Sequence, residues 1–170
     1  ISRNVTLEAE SIGAVVFDGQ TLTGLVSITA GFVTLVGLNF TVGGYHAAIT
    51  IFGGTPSLRS CSICENDATG VRIDGGTVLL NGCRIEQNIA QRYGGGTSGL
   101  RTAGGIFQRG GTSRISGCSI SHNRALYHPS ENYWYRGGGC LLYGGDMACE
   151  GCSIEHNIAT VDGSWARASG

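Results

Sequence analysis

The sequence contains no lysine; all 11 basic residues are arginine. Charge is scarce altogether, at 14% of residues, and the net charge is −1. No broad electrostatic attraction to nucleic acid or to an anionic membrane is implied. No apolar run reaches 18 residues, so no membrane span is expected. Proline occurs twice. The chain opens on Ile1, with neither an initiator Met nor an apolar leader, as a processed protein or a piece of a longer chain would.

Glycine, by contrast, is abundant at 30 residues, too many for a helical protein, because each costs about 1 kcal/mol relative to Ala inside a helix. Disorder does not fit either, since 41% of residues are hydrophobic and they are regularly spaced. The spacing is a repeat. Four segments align without gaps: 58–68, 80–90, 115–125 and 149–159. Each places Cys61, Cys83, Cys118 or Cys152 two residues before Ile63, Ile85, Ile120 or Ile154. Asn66, Asn88, Asn123 and Asn157 follow three residues after those isoleucines. A weaker copy runs from Leu35 to Phe40, with Leu38 in the Cys column. Twelve residues before the Cys column stand Val26, Ile49, Val71, Ile106 and Cys140. A small-residue corner comes between, as in Gly53-Gly54, Gly75-Gly76, Gly110-Gly111 and Gly144-Gly145.

The Cys-column spacings are 23, 22, 35 and 34 residues. The extra residues always enter after Asn-x-Ala and before the next Gly-Gly, as insertions at one corner of a stacked solenoid would. Two architectures fit Leu-x-x-Cys-x-Ile-x-x-Asn-x-Ala: the strand of a leucine-rich repeat, and the strand and Asn turn of a parallel β-helix. A leucine-rich repeat follows its Asn with a helical or 3₁₀ segment carrying further leucines. Here the same stretch reads Gly70-Val71-Arg72-Ile73-Asp74-Gly75-Gly76, alternating with period two and bracketed by glycines. That is strand and corner. The expected fold is all-β: a right-handed parallel β-helix with three strands per coil, about 22 residues per coil, and two insertions at one corner. Residues 1–170 are expected to form a single β-helix domain.

Equivalent residues of successive coils should then lie about 4.8 Å apart. The Cys column and the column Phe40, Ile63, Ile85, Ile120, Ile154 are expected to face in. The Asn column falls at a turn as an asparagine ladder, since a stacked Asn can take the left-handed conformation and hydrogen-bond its copies and the turn backbone. Between apolar columns, Cys acts as a small hydrophobe, so the thiols are expected to be reduced. One or two disulfides between adjacent coils are sterically compatible with this arrangement. Zinc sites want Cys-x₂-Cys pairs on tight loops; Cys61/Cys64 and Cys149/Cys152 have the spacing but lie along repeat strands. His122 and His156 share a column at the turn with Glu65 and Gln87, which reads as a solvated turn. No metal site and no cofactor are expected.

The repeat resembles the pectate-lyase-like β-helix superfamily over nearly the whole chain. More narrowly, it is similar to the polymorphic outer-membrane-protein type, which pairs a Gly-Gly-x-Ile element with a Phe-x-x-Asn element. Gly104-Gly105-Ile106 and Gly138-Gly139-Cys140 stand for the first, without its intervening residue, and Ile63-x-x-Asn66 with its three copies fills the second, Ile replacing Phe throughout. The superfamily includes polysaccharide lyases, polygalacturonases, methylesterases and epimerases, whose sites use carboxylate clusters with Arg, Lys or His. No two aspartates here are adjacent, and Asn-x-Asp, Asp-Asp, His-Gly and Arg-x-Lys are all missing. No catalytic residue is expected. Asp74 aligns with Arg109 one coil on, which suggests an ion pair between coils.

The informative surface is the insertion corner. The two insertions, Gln91 to Thr102 and Leu126 to Arg136, should lie side by side. They offer Arg92, Tyr93, Tyr127, Tyr133, Trp134, Tyr135 and Arg136, and aromatics with Arg are enriched at recognition hot spots. Next to them the outward positions of one strand turn apolar, at Phe107, Leu141 and Tyr143, where earlier coils have Thr50, Arg72 and Asp74. The expected function is a non-catalytic structural or interaction module that docks a protein partner, or continuing chain, at this corner and at the C-terminal end. It would belong to a surface protein or to an accessory subunit of a large complex, membrane-bound or organellar. The expected location is extracytoplasmic or an organelle lumen. The other reading of the loops, not exclusive of the first, is a lid over Phe107 and Leu141. The alternative function is a carbohydrate-active or glycan-binding β-helix.

Overall fold

A computed structural model of the chain describes residues 1–21, 24–44, 46–90, 102–126, 135–159 and 167–169. Every strand pairing in it is parallel, and strands pair across coils. That pattern is a parallel β-helix. Three faces carry the stack. The first comprises Val26–Ile28, Ile49–Ile51, Val71–Ile73, Ile106–Gln108 and Cys140–Leu142. The second comprises Val5–Glu8, Phe32–Val36, Thr55–Arg59, Thr77–Asn81, Thr112–Ser116 and Asp146–Glu150. The third comprises Val15–Asp18, Leu38–Thr41, Ser62–Cys64, Arg84–Glu86, Ser119–Ser121 and Ser153–Glu155.

The pairings hold the register the repeat dictates. Ile63, Ile85, Ile120 and Ile154 are successive partners on the third face. Val26, Ile49, Val71, Ile106 and Cys140 are successive partners on the first. The inward columns are buried through the middle of the stack, with Leu35, Leu58, Leu80 and Ile115 on the second face. A sixth layer, not resolved by the repeat, precedes the others: Val5–Glu8 pairs with the second face and Val15–Asp18 with the third. Its Phe17 stacks on Phe40 with ring centroids 5.1 Å apart.

Left-handed residues turn the corners. Gly37, Ser60, Gly82, Gly117 and Gly151 stand between the second and third faces at φ of 50° to 67°. This single residue resets the alternation, so residues two before and one after it both point inward, as Leu58 and Cys61 do. The corner before the first face differs from expectation. The Asn residues are not the left-handed ones; Glu65, Gln87, His122 and His156, one position earlier, take φ of 55° to 58°. The physical reason is division of labour. The outward residue absorbs the strained dihedral, and the Asn side chain is left free to turn inward and bond.

Three strands per coil holds for the early coils. The later coils add two short strands each, Ile89–Ala90, Arg124–Ala125 and Ile158–Ala159 in one sheet, and Thr102–Ala103, Tyr135–Gly137 and Arg167–Ser169 in another.

The first face carries a polar residue at an inward position. Gln108 replaces the Ile of the coils before it and is fully buried. Its Nε2 donates to the carbonyls of Gly111 at 3.1 Å and Asp146 at 3.0 Å, and its Oε1 accepts from the Ser113 hydroxyl at 2.6 Å. Gln108→Leu leaves Ser113 buried without that acceptor and should cost about 1–3 kcal/mol. Gln108→Leu with Ser113→Ala should recover much of this in urea unfolding. A double variant no better than the single would mean the bonds contribute nothing.

Candidate functional site

The Asn column is the most regular polar feature. Asn66, Asn88 and Asn123 are fully buried. Each donates through Nδ2 to Oδ1 of the next, at 2.8, 2.9 and 3.0 Å, the last acceptor being Asn157. The same oxygens accept the backbone N–H groups of Asn66, Asn88 and Asn123 at 3.3, 3.1 and 3.0 Å. The second Nδ2 hydrogen goes to a carbonyl of the coil before, for example Ile63 at 2.9 Å and Ile85 at 2.7 Å. At the N-terminal end the Gly43 N–H donates to Asn66 Oδ1 at 2.8 Å. The glycine directly before Ile106 faces these amides: a Cβ on Gly105 would lie 3.1 Å from Asn123 Nδ2 and would overlap the Gly139 carbonyl oxygen. The two motif elements therefore depend on each other within one coil.

The thiols follow the expected columns and are free. Cys61, Cys83 and Cys118 are buried, and Cys61 and Cys83 donate to the carbonyls of Leu35 and Leu58 at 3.4 Å. Hydrogen bonding to Cys118 and Cys61, with burial, holds Cys83 well above the ordinary thiol range. Burial pushes Cys140 up to about 12. Cys64 instead faces out, half-buried, with its sulfur 2.9 Å from the Ser62 hydroxyl. His122 and His156 stack at the surface, centroids 4.9 Å apart. Asp74, next after the strand Val71–Ile73, is held chiefly by Arg72 of that strand, at 2.9 Å, and Arg109 stands off at 4.0 Å. The pair between coils is thus secondary, because residues two apart on one strand share a face and the Arg fork reaches across.

Of the expected docking residues, Arg92, Tyr93, Tyr127, Tyr133 and Trp134 lie outside the described residues. Tyr135 and Arg136 belong to the paired strand Tyr135–Gly137, so the second insertion ends before them. Thr102 and Leu126 are likewise tied in, Thr102 opposite Arg136 and Leu126 N–H to the Ala90 carbonyl at 3.0 Å. On the first face, Phe107 pairs in register with Arg72 and Leu141. Phe107 is only 6% exposed, so of the two readings of this position the open apolar one does not hold. Leu141 is half-buried, and Tyr143 is 52% exposed. The two short sheets flanking the corner align the strand ends on either side of residues 91–101, 127–134 and 160–166: Ile89–Ala90, Arg124–Ala125 and Ile158–Ala159 before them, Thr102–Ala103, Tyr135–Gly137 and Arg167–Ser169 after them.

The family model described as right handed beta helix region matches residues 23–166. The chain belongs to this family. Membership fixes the hand of the coil and agrees with the all-parallel stack. Neither the curated proteins nor the solved structures contain a significant match to this right-handed β-helix. Among the described residues, no helix is long and apolar enough to cross a membrane.

Proposed function

We propose that this β-helix is a non-catalytic docking module whose partner is another protein, bound at the insertion corner. The observation that carries the reading is the alignment of insertion roots. Segments 91–101, 127–134 and 160–166 each connect a strand of one short sheet to a strand of the other. The rungs thus hold the roots of three segments of unlike sequence along one edge, and binding residues concentrate on loops held by rigid scaffolds. The composition of 127–134, with Tyr127, Tyr133 and Trp134, and the neighbouring Tyr143 add aromatic anchors. Similarity of the repeat to the outer-membrane-protein type supports a surface protein. An accessory subunit of a larger complex is equally compatible with the same corner.

Trp134→Ala is expected to weaken partner binding by about 2 kcal/mol or more, as loss of a buried aromatic anchor does. Folding should be nearly unaffected. Arg59→Ala, on the polar second face, serves as control. Affinity capture with the natural partner and thermal unfolding together decide the matter. A Trp134→Ala protein that unfolds, with unchanged binding by its folded fraction, would make the loop a lid over Phe107 and end the proposal.

A further inference from the structure

Two Asn-x-Thr triplets occur in the chain, Asn4-Val5-Thr6 and Asn39-Phe40-Thr41. Such a triplet is the acceptor signal for N-linked glycosylation where the Asn reaches the surface. The fold treats the two differently. Asn39 lies within the third face, between Val16 and Ser62 in register, and is half-buried. Its Nδ2, the atom to which a sugar would be joined, donates to the Gly13 carbonyl at 3.2 Å. That nitrogen is committed to the wall of the coil.

Asn4 is placed the other way round. Val5 pairs with Val33 and packs on the core, so Asn4 and Thr6 on either side of it face outward. Both are exposed. Asn4 Oδ1 accepts the Phe32 backbone N–H at 2.9 Å, which fixes the amide and leaves Nδ2 out of that bond. The openness of this face does not hinge on the first layer. Phe32 is flanked by Asn4 and Thr55 and is still 67% exposed. Thr77 and Thr112, further along the same outward column, are exposed as well. Among the described residues no aromatic ring is more exposed than Phe32.

We propose that Asn4 is an N-glycosylation site whose first sugar packs on the Phe32 ring. In the transfer, Asn4 Nδ2 attacks the anomeric carbon of an oligosaccharide carried on a lipid diphosphate. The bond from that carbon to the diphosphate oxygen breaks as the N–C bond forms. Nδ2 gives up one proton, and the lipid diphosphate leaves. The Thr6 hydroxyl, by which the transferring enzyme recognises the triplet, stands on the same outward face. Oδ1 is still an acceptor after transfer, so the bond to Phe32 holds the linked sugar beside the ring. A pyranose presents a face of C–H groups, which the negative face of an aromatic ring attracts. The glycan stands on the second face, across the coil from the insertion corner, so this site goes beyond the docking reading and leaves that corner free.

The test is secretion of the 170-residue chain from eukaryotic cells behind a cleavable leader and a short tag. Enzymatic glycan release in heavy-oxygen water, which labels each Asn that carried a sugar, is followed by peptide mapping. The expected result is the label at Asn4. Asn4→Gln and Thr6→Ala should each abolish it, and Thr6→Ser should retain it. Glycan release should lower the thermal unfolding midpoint of the wild type, and lower it less in Phe32→Ala, where the sugar has no ring to cover. An Asn4 without label in the wild-type chain overturns the proposal, whatever Asn39 carries, and that map decides alone if a variant fails to fold. Equal midpoint changes in wild type and Phe32→Ala overturn the packing on the ring. None of these measurements reads partner binding, so their outcome is separate from that of the docking proposal.

Discussion

Gly76→Ala is expected to destabilise the protein by about 3 kcal/mol or more in urea unfolding. Two costs coincide there. Gly76 has φ of +88°, where an L side chain pays about 1–2 kcal/mol. A Cβ would also lie 2.6 Å from the Gly54 carbonyl oxygen and 2.9 Å from the Gly53 carbonyl carbon. These are backbone atoms of the coil below, so relief requires the coils to part. Overpacking of that kind adds about 1–3 kcal/mol. Gly82→Ala isolates the first cost: φ is +58°, and the nearest atom to its Cβ is the Ser60 hydroxyl at 3.9 Å. It should lose about 1 kcal/mol, since Ser60 already occupies the same corner with φ of 50°. Equal losses at the two glycines would mean that the coils separate easily, and the close approach would carry no weight.

Asn88→Ala should cost about 3 kcal/mol. Its oxygen accepts both the N–H and the Nδ2 of Asn66, and its Nδ2 serves Ile63 O and Asn123 Oδ1. None of these partners can turn to water, because Asn66 and Asn123 are themselves fully buried. Asn157→Ala should cost less, since the half-buried bonds there can be replaced by solvent. The ordering Asn88 above Asn157, measured by thermal or urea unfolding, is the result expected. A loss within about 0.5 kcal/mol at Asn88, the range of an ordinary surface site, would show that neighbouring coils shift to satisfy the orphaned groups.

The repeat was legible because each column must fill the same space in every coil. Leu, Cys, Ile and Asn recur, and the corner that admits extra residues could be read from where the spacing grew. Layers that lack the signature residues were harder to see. Val5–Glu8 and Val15–Asp18 have neither the Cys nor the Asn, although Phe17 stands 23 residues before Phe40 and could have been found on that spacing. The left-handed positions at the Asn corner were hidden because Glu65, Gln87, His122 and His156 share no conformational signature. Asp74 was assigned by column to Arg109, but Arg72, two residues earlier in the same coil, reaches it first. At the docking corner, sequence located the roots of the insertions. It left open whether Phe107 would be covered, and it did not show that Tyr135 and Arg136 would be drawn into a strand.

The rooted corner has a consequence for chain entropy. Adding a coil closes a loop of about 22 residues where there is no insertion and about 35 where there is one. Closure cost grows only with the logarithm of length, so the longer loop adds about 0.4 kcal/mol. That is far less than a coil gains from its buried Ile, Leu and Asn columns. Segment length at this corner is thus nearly decoupled from the stability of the stack. Selection can lengthen, shorten or rewrite these segments while the rungs beneath keep their register.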